Sequence, residues 1–278
     1  MIALLLDDVV RRALHEDLGL AGDLTTDAIV PAGAAGEARL VSRESGVVSG
    51  IVAVERTFAM LDPRVAVRVA VADGGSVEPG TVIATIAGPL RSILTGERVA
   101  LNFLCRLSGI ATATARLVEA VAGTRAAIVD TRKTTPGLRA LEKAAVRDGG
   151  GSNHRFGLAD AILIKDNHVA VAGGIAAAIE AARRRAGHLV KIEVEVDTLD
   201  QLEQAFAARA DIVLLDNFSP EELREAVRRN GGRALLEASG RITAATVRTV
   251  AETGVDLISS GALTHSAHVL DIGLDIGP

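Results

Sequence analysis

Six short apolar runs, at 126–129, 161–164, 190–196, 212–215, 234–236 and 255–258, recur through the second half of this chain. They begin roughly 20 to 35 residues apart, and Ala-, Arg- and Glu-rich stretches of helical character such as GIAAAIEAARRRAG and SPEELREAVRRNGG lie between them. Strands separated by helices are joined by crossovers and pair in parallel, so the fold class is α/β. Six such units suit a closed or nearly closed β/α barrel better than an open sheet. Periodicity leaves a doubly wound sheet as the alternative.

In a β/α barrel the working side chains come from the C-terminal ends of the strands, and here nearly every such end is polar. After the first run, DTRKT presents Thr131, Arg132 and Lys133. Only four of the 30 basic residues are lysines, so a Lys beside an Arg at a strand end marks a place for an anion. The second run ends at Lys165 of IKDNH and the third at Glu195 of EVEV, with Glu193 at the same parity and so on the same lumen-facing side. The fourth ends at Asp216 of LLDN. The fifth and sixth end in Ser239-Gly240 and Ser260-Gly261, which either close backbone N–H groups on a phosphate or are ordinary β-to-α turns. A Gly-rich segment, GGGSNHRFGLAD, brings His154 and Arg155 between the first two strands.

Chemistry divides these groups. Lys133 and Lys165 suit phosphate as point charges, and Arg132 and Arg155 suit carboxylates in bidentate geometry. Glu195 and Asp216, on adjacent strands, can hold Mg²⁺ with substrate oxygens or stabilise a developing cation. The competing reading is a structural cluster in which the cations only neutralise those carboxylates.

The first part of the chain has another texture. From about Arg39 to Leu94 it alternates in the strand period between glycine turns, which predicts an antiparallel, hairpin-rich module. Its DGGSVEPG turn resembles those of biotinyl or lipoyl carrier domains, but no lysine precedes Lys133 to bear a swinging arm. Residues 96–121 read as helical, with a break at Gly109. MIALLLDDVVRRAL reads as an amphipathic helix and not a secretory signal, because Asp7 and Asp8 cut the apolar run and no basic region precedes it.

Composition removes whole classes of function. A net charge of −5 argues against non-specific nucleic-acid binding, and five Phe with no Trp or Tyr leave almost no base-stacking platform. No apolar run approaches a membrane span. The single cysteine, Cys105, has no partner for a disulfide or a zinc cluster, which fits a reducing, cytoplasmic compartment.

In this order and spacing, DTRKT, NHR, IKDNH, EVEV, LLDN, EASG and SSGALTH closely resemble the quinolinate phosphoribosyltransferase family. With EDLGLAGDLTTDAIV and ERVALNFLCRLSGIAT upstream, the resemblance covers essentially the whole chain; each motif alone is weak, and the ordered set is specific. It implies an N-terminal α/β sandwich domain over 1–109, an incomplete C-terminal β/α barrel over 110–265, and a tail, 266–278, packing back on the first domain. It also implies transfer of a phosphoribosyl group from phosphoribosyl pyrophosphate to quinolinate with decarboxylation, using Mg²⁺ and no organic cofactor, in a homodimer with shared sites or a hexamer built from such dimers.

Carried over position by position, the quinolinate pocket falls on Arg132, Lys133, His154, Arg155 and Lys165, with Thr131 beside them and Arg98 of ERVALN given by the other subunit. The phosphoribosyl pyrophosphate side falls on Lys133, Lys165, Glu195 and Asp216, which are also the catalytic set. Its 5′-phosphate falls at Ser239-Gly240-Arg241 and Ser260-Gly261-Ala262, where Arg241 departs from the Gly or Asn often found in the family. Three alternatives stay open at this point: a molybdenum-transport-associated paralogue of the same family, a Schiff-base lyase using Lys133 or Lys165, and a non-catalytic anion-binding barrel.

Overall fold

The computed structural model describes residues 2–277. Along the chain run α1 (Ile2–Leu18), α2 (Leu24–Ile29), β1 (Ala35–Ser42), β2 (Gly46–Val47), α3 (Ile51–Leu61), β3 (Ala66–Val69), β4 (Ser76–Val77), β5 (Val82–Pro89) and α4 (Leu90–Ala120). Then come β6 (Ala127–Val129), α5 (Arg139–Asp148), β7 (Ile162–Ile164), α6 (Asp166–Ala172), α7 (Ile175–Arg185), β8 (Ile192–Val196) and α8 (Leu199–Ala207). The remainder is β9 (Ile212–Asp216), α9 (Pro220–Asn230), β10 (Leu235–Ser239), α10 (Val247–Ala251), β11 (Leu257–Ser259), α11 (Ala262–His265) and β12 (Ile272–Ile276). Two compact units result: one from the residues up to Ala115, Thr134–Gly150 and Ser266 onward, the other from Arg116–Lys133 and Gly151–His265.

The first unit is an antiparallel sheet, order β12-β1-β5-β3, with helices against it. Leu40, Ile83, Ile86 and Ile272 of the sheet share a core with Val54 and Phe58 of α3 and with Ile93 and Leu104 of α4. The far side of α4, through Val99, Phe103 and Leu107, joins a second core with Leu6, Val10 and Leu14 of α1 and Leu141 and Val146 of α5. Spacing of four along α1 puts Leu6, Val10 and Leu14 on one stripe, the pattern of an amphipathic helix.

Two features differ from the linear reading. The stretch predicted as an antiparallel, hairpin-rich module also contains α3, because Gly50 (φ +105°) turns the chain and Asp73 of the DGGSVEPG turn accepts a hydrogen bond from Ile51 N at 3.0 Å, capping the helix. Gly109 breaks nothing: α4 runs through it unbroken for 31 residues. A β-carbon there would lie 2.0 Å from His268 O, so this glycine admits the passing backbone of the C-terminal tail.

The second unit carries six parallel strands in the order β6-β11-β10-β9-β8-β7. Each predicted apolar run supplies one of them. Chain order is cyclic with one unpaired seam, between β6 and β7, so the barrel is incomplete as expected. Among the described residues no helix is long and apolar enough to cross a membrane.

Candidate active site

The seam in the barrel is where the site is built. Asp130, fully buried just past β6, accepts from Asn153 Nδ2 at 2.7 Å and from His154 N at 2.8 Å. Backbone bonds between Ser152 and the 128–130 stretch lay the 151–155 segment along the free edge of β6. That anchoring delivers His154 and Arg155 to the mouth of the barrel. There a cavity of about 400 Å³ is bordered by Thr131, Arg132, Lys133, His154, Arg155 and Lys165, with Glu195, Asp216 and Ser239 on its other strands.

The remaining candidates lie outside that lining. Gly240 and Arg241 follow Ser239, and Ser260, Gly261 and Ala262 form the turn after β11. Gly240 has φ +102°, and a β-carbon on it would lie 2.3 Å from Asn217 Oδ1, so conformation and space both require glycine. The stem of Lys133 covers Gly261, where a β-carbon would lie 2.7 Å from Lys133 Cδ. Thr264 Oγ1 donates to Lys133 O at 2.7 Å, so the backbone of Lys133 is tied to α11. Arg241 is exposed and itself left-handed, with φ +48°. Arg98 belongs to α4 in the first unit, where it borders a different cavity with Asp23 and Thr95.

Like charges crowd this mouth. Burial, and then the nearby charge of Arg132, pull the Arg155 guanidinium below its ordinary value, a strain that a bound anion relieves. Across the cavity Lys165 Nζ pairs with Glu195 Oε2 at 2.8 Å. Burial pushes the Asp216 carboxyl up, with Glu195 and Asp197 adding to the push and Lys165 and Lys133 opposing it. Asn217, left-handed at φ +56°, donates its Nδ2 to Asp216 Oδ2 at 2.8 Å and its backbone N to Ser239 O at 2.9 Å. It thereby joins the carboxylate on β9 to the turn after β10.

The family models for the quinolinate phosphoribosyl transferase N-terminal and C-terminal domains match residues 23–108 and 110–275. This chain belongs to that family. The nicotinate-nucleotide pyrophosphorylase [carboxylating] of Mycobacterium leprae (strain TN) is 48% identical over 97% of this chain and 96% of its own. A probable enzyme of the same name from Bacillus subtilis (strain 168) is 46% identical over 94% and 90%. Among solved structures, NadC from Streptococcus pyogenes superposes with a TM-score of 0.93 at 43% identity, covering 98% of this chain and 97% of that one. The nicotinate-nucleotide pyrophosphorylase from Francisella tularensis gives a TM-score of 0.94 at 40% identity, with 98% and 96% covered.

Sequence reasoning named His154 and put Glu193 on the lumen side, but singled out neither Glu237 nor the meeting of the three. Beneath the mouth, His154 Nε2 lies 3.0 Å from Glu193 Oε2 and 3.7 Å from Glu237 Oε1. Burial, and then the charge of Glu193, push the Glu237 carboxyl up to about 7, against the opposing pull of His154 and a hydrogen bond with Ser259. Glu237 stands two residues before Ser239, so strand parity alone puts both on the lumen side. Its meeting with Glu193, two strands away, is a property of the closed curve of the sheet. Asn217 was visible at its strand end, but nothing in the sequence pairs its amide with Asp216.

Proposed function

We propose that this protein is an enzyme of its family's kind: it transfers the phosphoribosyl group of phosphoribosyl pyrophosphate to quinolinate, releasing nicotinate mononucleotide, CO₂ and pyrophosphate. The observation that carries the reading is the two-sided cavity, with crowded guanidinium groups facing a lysine and carboxylate set within about 400 Å³. A dicarboxylate and a polyphosphate are the partners that such a pair of walls suits.

On the first wall Arg132, Arg155 and His154 hold the quinolinate carboxylates, with Thr131 at the edge. Lys133 stands at the junction, and Lys165 beside Glu195 faces the phosphoribosyl side. Glu195 and Asp216 stabilise the cationic character that the ribose anomeric carbon gains as pyrophosphate departs and the pyridine nitrogen attacks. The quaternised ring then stabilises the carbanion left by loss of the adjacent carboxylate. The Ser239-Gly240-Arg241 and Ser260-Gly261-Ala262 turns take the 5′-phosphate on backbone N–H groups.

Glu195 and Asp216 fit Mg²⁺: both offer hard oxygen donors, and the upward push on Asp216, from burial first and then from the charges of Glu195 and Asp197, is one that a divalent cation relieves. When bound, the ion would supply charge neutralisation to the pyrophosphate. No organic cofactor is required by this chemistry. We further propose a cytoplasmic homodimer, alone or assembled into a hexamer, in which Arg98 of one subunit completes the quinolinate pocket of the other. Turnover of quinolinate and phosphoribosyl pyrophosphate with Mg²⁺ to nicotinate mononucleotide and CO₂ tests the reading. Absence of turnover at saturating substrates overturns it.

A further inference from the structure

Glu193 and Glu237 stand on β8 and β10 with β9 between them, and their carboxylates meet inside the barrel. They are 4% and 1% exposed, and Glu193 Oε1 and Glu237 Oε1 have no hydrogen-bond partner. Orphaned oxygens on two adjacent buried carboxylates require a physical account, because desolvation and mutual repulsion both oppose two negative charges there.

The groups facing Glu237 do not supply that account by charge. Glu193 approaches from β8, Asp130 from the end of β6, His154 from the 151–155 segment, and Ser259 from β11. Only His154 could be cationic among them, and its hydrogen bonds oppose this. Arg155 N donates to His154 Nδ1 at 2.7 Å, so that nitrogen is an acceptor and the ring proton sits on Nε2, directed at Glu193 Oε2. The same tautomer disfavours a metal among His154, Glu193 and Glu237, because Nε2 has no lone pair to offer.

We propose that Glu237 works as a neutral carboxylic acid which, beside the Glu193 carboxyl, forms a floor of reduced negative charge that holds His154 as the neutral Nε2–H tautomer. Glu237 is thus a positioning residue acting through Glu193 and His154. Its proton turns one orphaned oxygen into a donor and removes a negative charge from beneath an anion-binding pocket. The upward push on its carboxyl, from burial and Glu193, acts in the same direction, and a neutral His154 withdraws the charge that would oppose it. When Glu237 ionises, the floor gains negative charge that competes for the His154 Nε2–H and repels a bound dicarboxylate. The role for the dicarboxylate rests on the function proposed above.

The protonation state is tested on the full chain without substrates, by infrared difference spectroscopy and ¹⁵N NMR. The wild type shows a protonated-carboxyl C=O band at mildly acid pH that disappears on raising pH and is missing in Glu237→Gln, and His154 shows a proton on Nε2 with Nδ1 bare. Kinetics add the consequence: because Gln mimics the neutral acid, E237Q keeps a quinolinate KM within about threefold of wild type at pH 6.5, and its KM stays flat while that of the wild type climbs about five- to tenfold by pH 8.5. Absence of the band, an imidazolium at mildly acid pH, a tenfold loss of quinolinate affinity in E237Q at pH 6.5, or identical pH slopes would each overturn the proposal. Should E237Q not fold, the wild-type titration by both spectroscopies decides. A wild type that lacks turnover leaves those spectra unaffected, so the two failures are distinguishable.

Discussion

Glu193 and Glu195 lie two residues apart on the same strand and the same face, yet they inhabit different environments. At the rim, Glu195 pairs with Lys165 at 2.8 Å, and Asp216 beside it takes a donor from Asn217. On the floor, Glu193 and Glu237 share one imidazole and keep an orphaned oxygen each. Depth in the barrel accounts for the contrast. Near solvent a carboxylate can exchange its lysine for a ligand, whereas a buried pair of carboxyls is eased by taking up a proton. Under the function proposed above, substrate displaces the rim pairing while the floor holds still.

The most severe challenge to this contrast is a neutral rim. Asp216→Asn removes a charge that the proposed function requires both for Mg²⁺ and as the ribose becomes cationic, so kcat falls about 10²- to 10³-fold with little change in thermal midpoint. A loss confined to stability would make the rim structural. Next in size, Arg155→Ala or Arg132→Ala weakens quinolinate binding by about 10- to 100-fold by calorimetry, the scale of one or two charge-assisted hydrogen bonds. A steep drop in melting temperature in either variant would assign that guanidinium to the scaffold.

Floor effects are smaller and appear as pH dependence. Glu237 has a folded value of about 7, above its ordinary 4.5, so the folded chain holds the proton more tightly than the unfolded one. That contribution is fully present below about pH 4.5 and is lost as pH rises through about 7. The wild-type melting temperature therefore declines across this window more than that of E237Q, and parallel declines would remove the distinction between floor and rim. The smallest effect expected is that of Asn217→Gly. Glycine relieves a left-handed backbone but deletes the donor to Asp216, so kcat/KM for phosphoribosyl pyrophosphate drops about three- to tenfold while the melting temperature holds or rises. Unchanged kinetics would show that Asp216 needs no such support.

Legibility followed physical range. The runs at 126–129 and 212–215 were readable as parallel strands because both faces of such strands are covered, which makes them apolar throughout. The α3 segment was not readable: IVAVERTFAML is apolar enough on both sides to imitate a strand, since α3 contributes Val54 to one core and Ala53 to another. Gly109 looked like a helix stop because composition cannot reveal that another backbone passes over it. Thr134–Gly150 belongs with the first unit, although its neighbours on both sides belong to the barrel, because the apolar stripe of α5 finds its partners on α1 and α4.

By itself the sequence determined the α/β class, the positions of the six barrel strands along the chain and the chemical identity of the groups at their ends, because strand period and side-chain type are local properties. Tertiary structure alone decided which of those groups meet. The pairing of Lys165 with Glu195, the hydrogen bonds of Asn217 to Asp216 and to Ser239 O, and the buried meeting of Glu193 with Glu237 all join residues whose separation in space depends on how the sheet curves. Charge state depends on that same closeness and burial, so it too was decided only when the barrel formed.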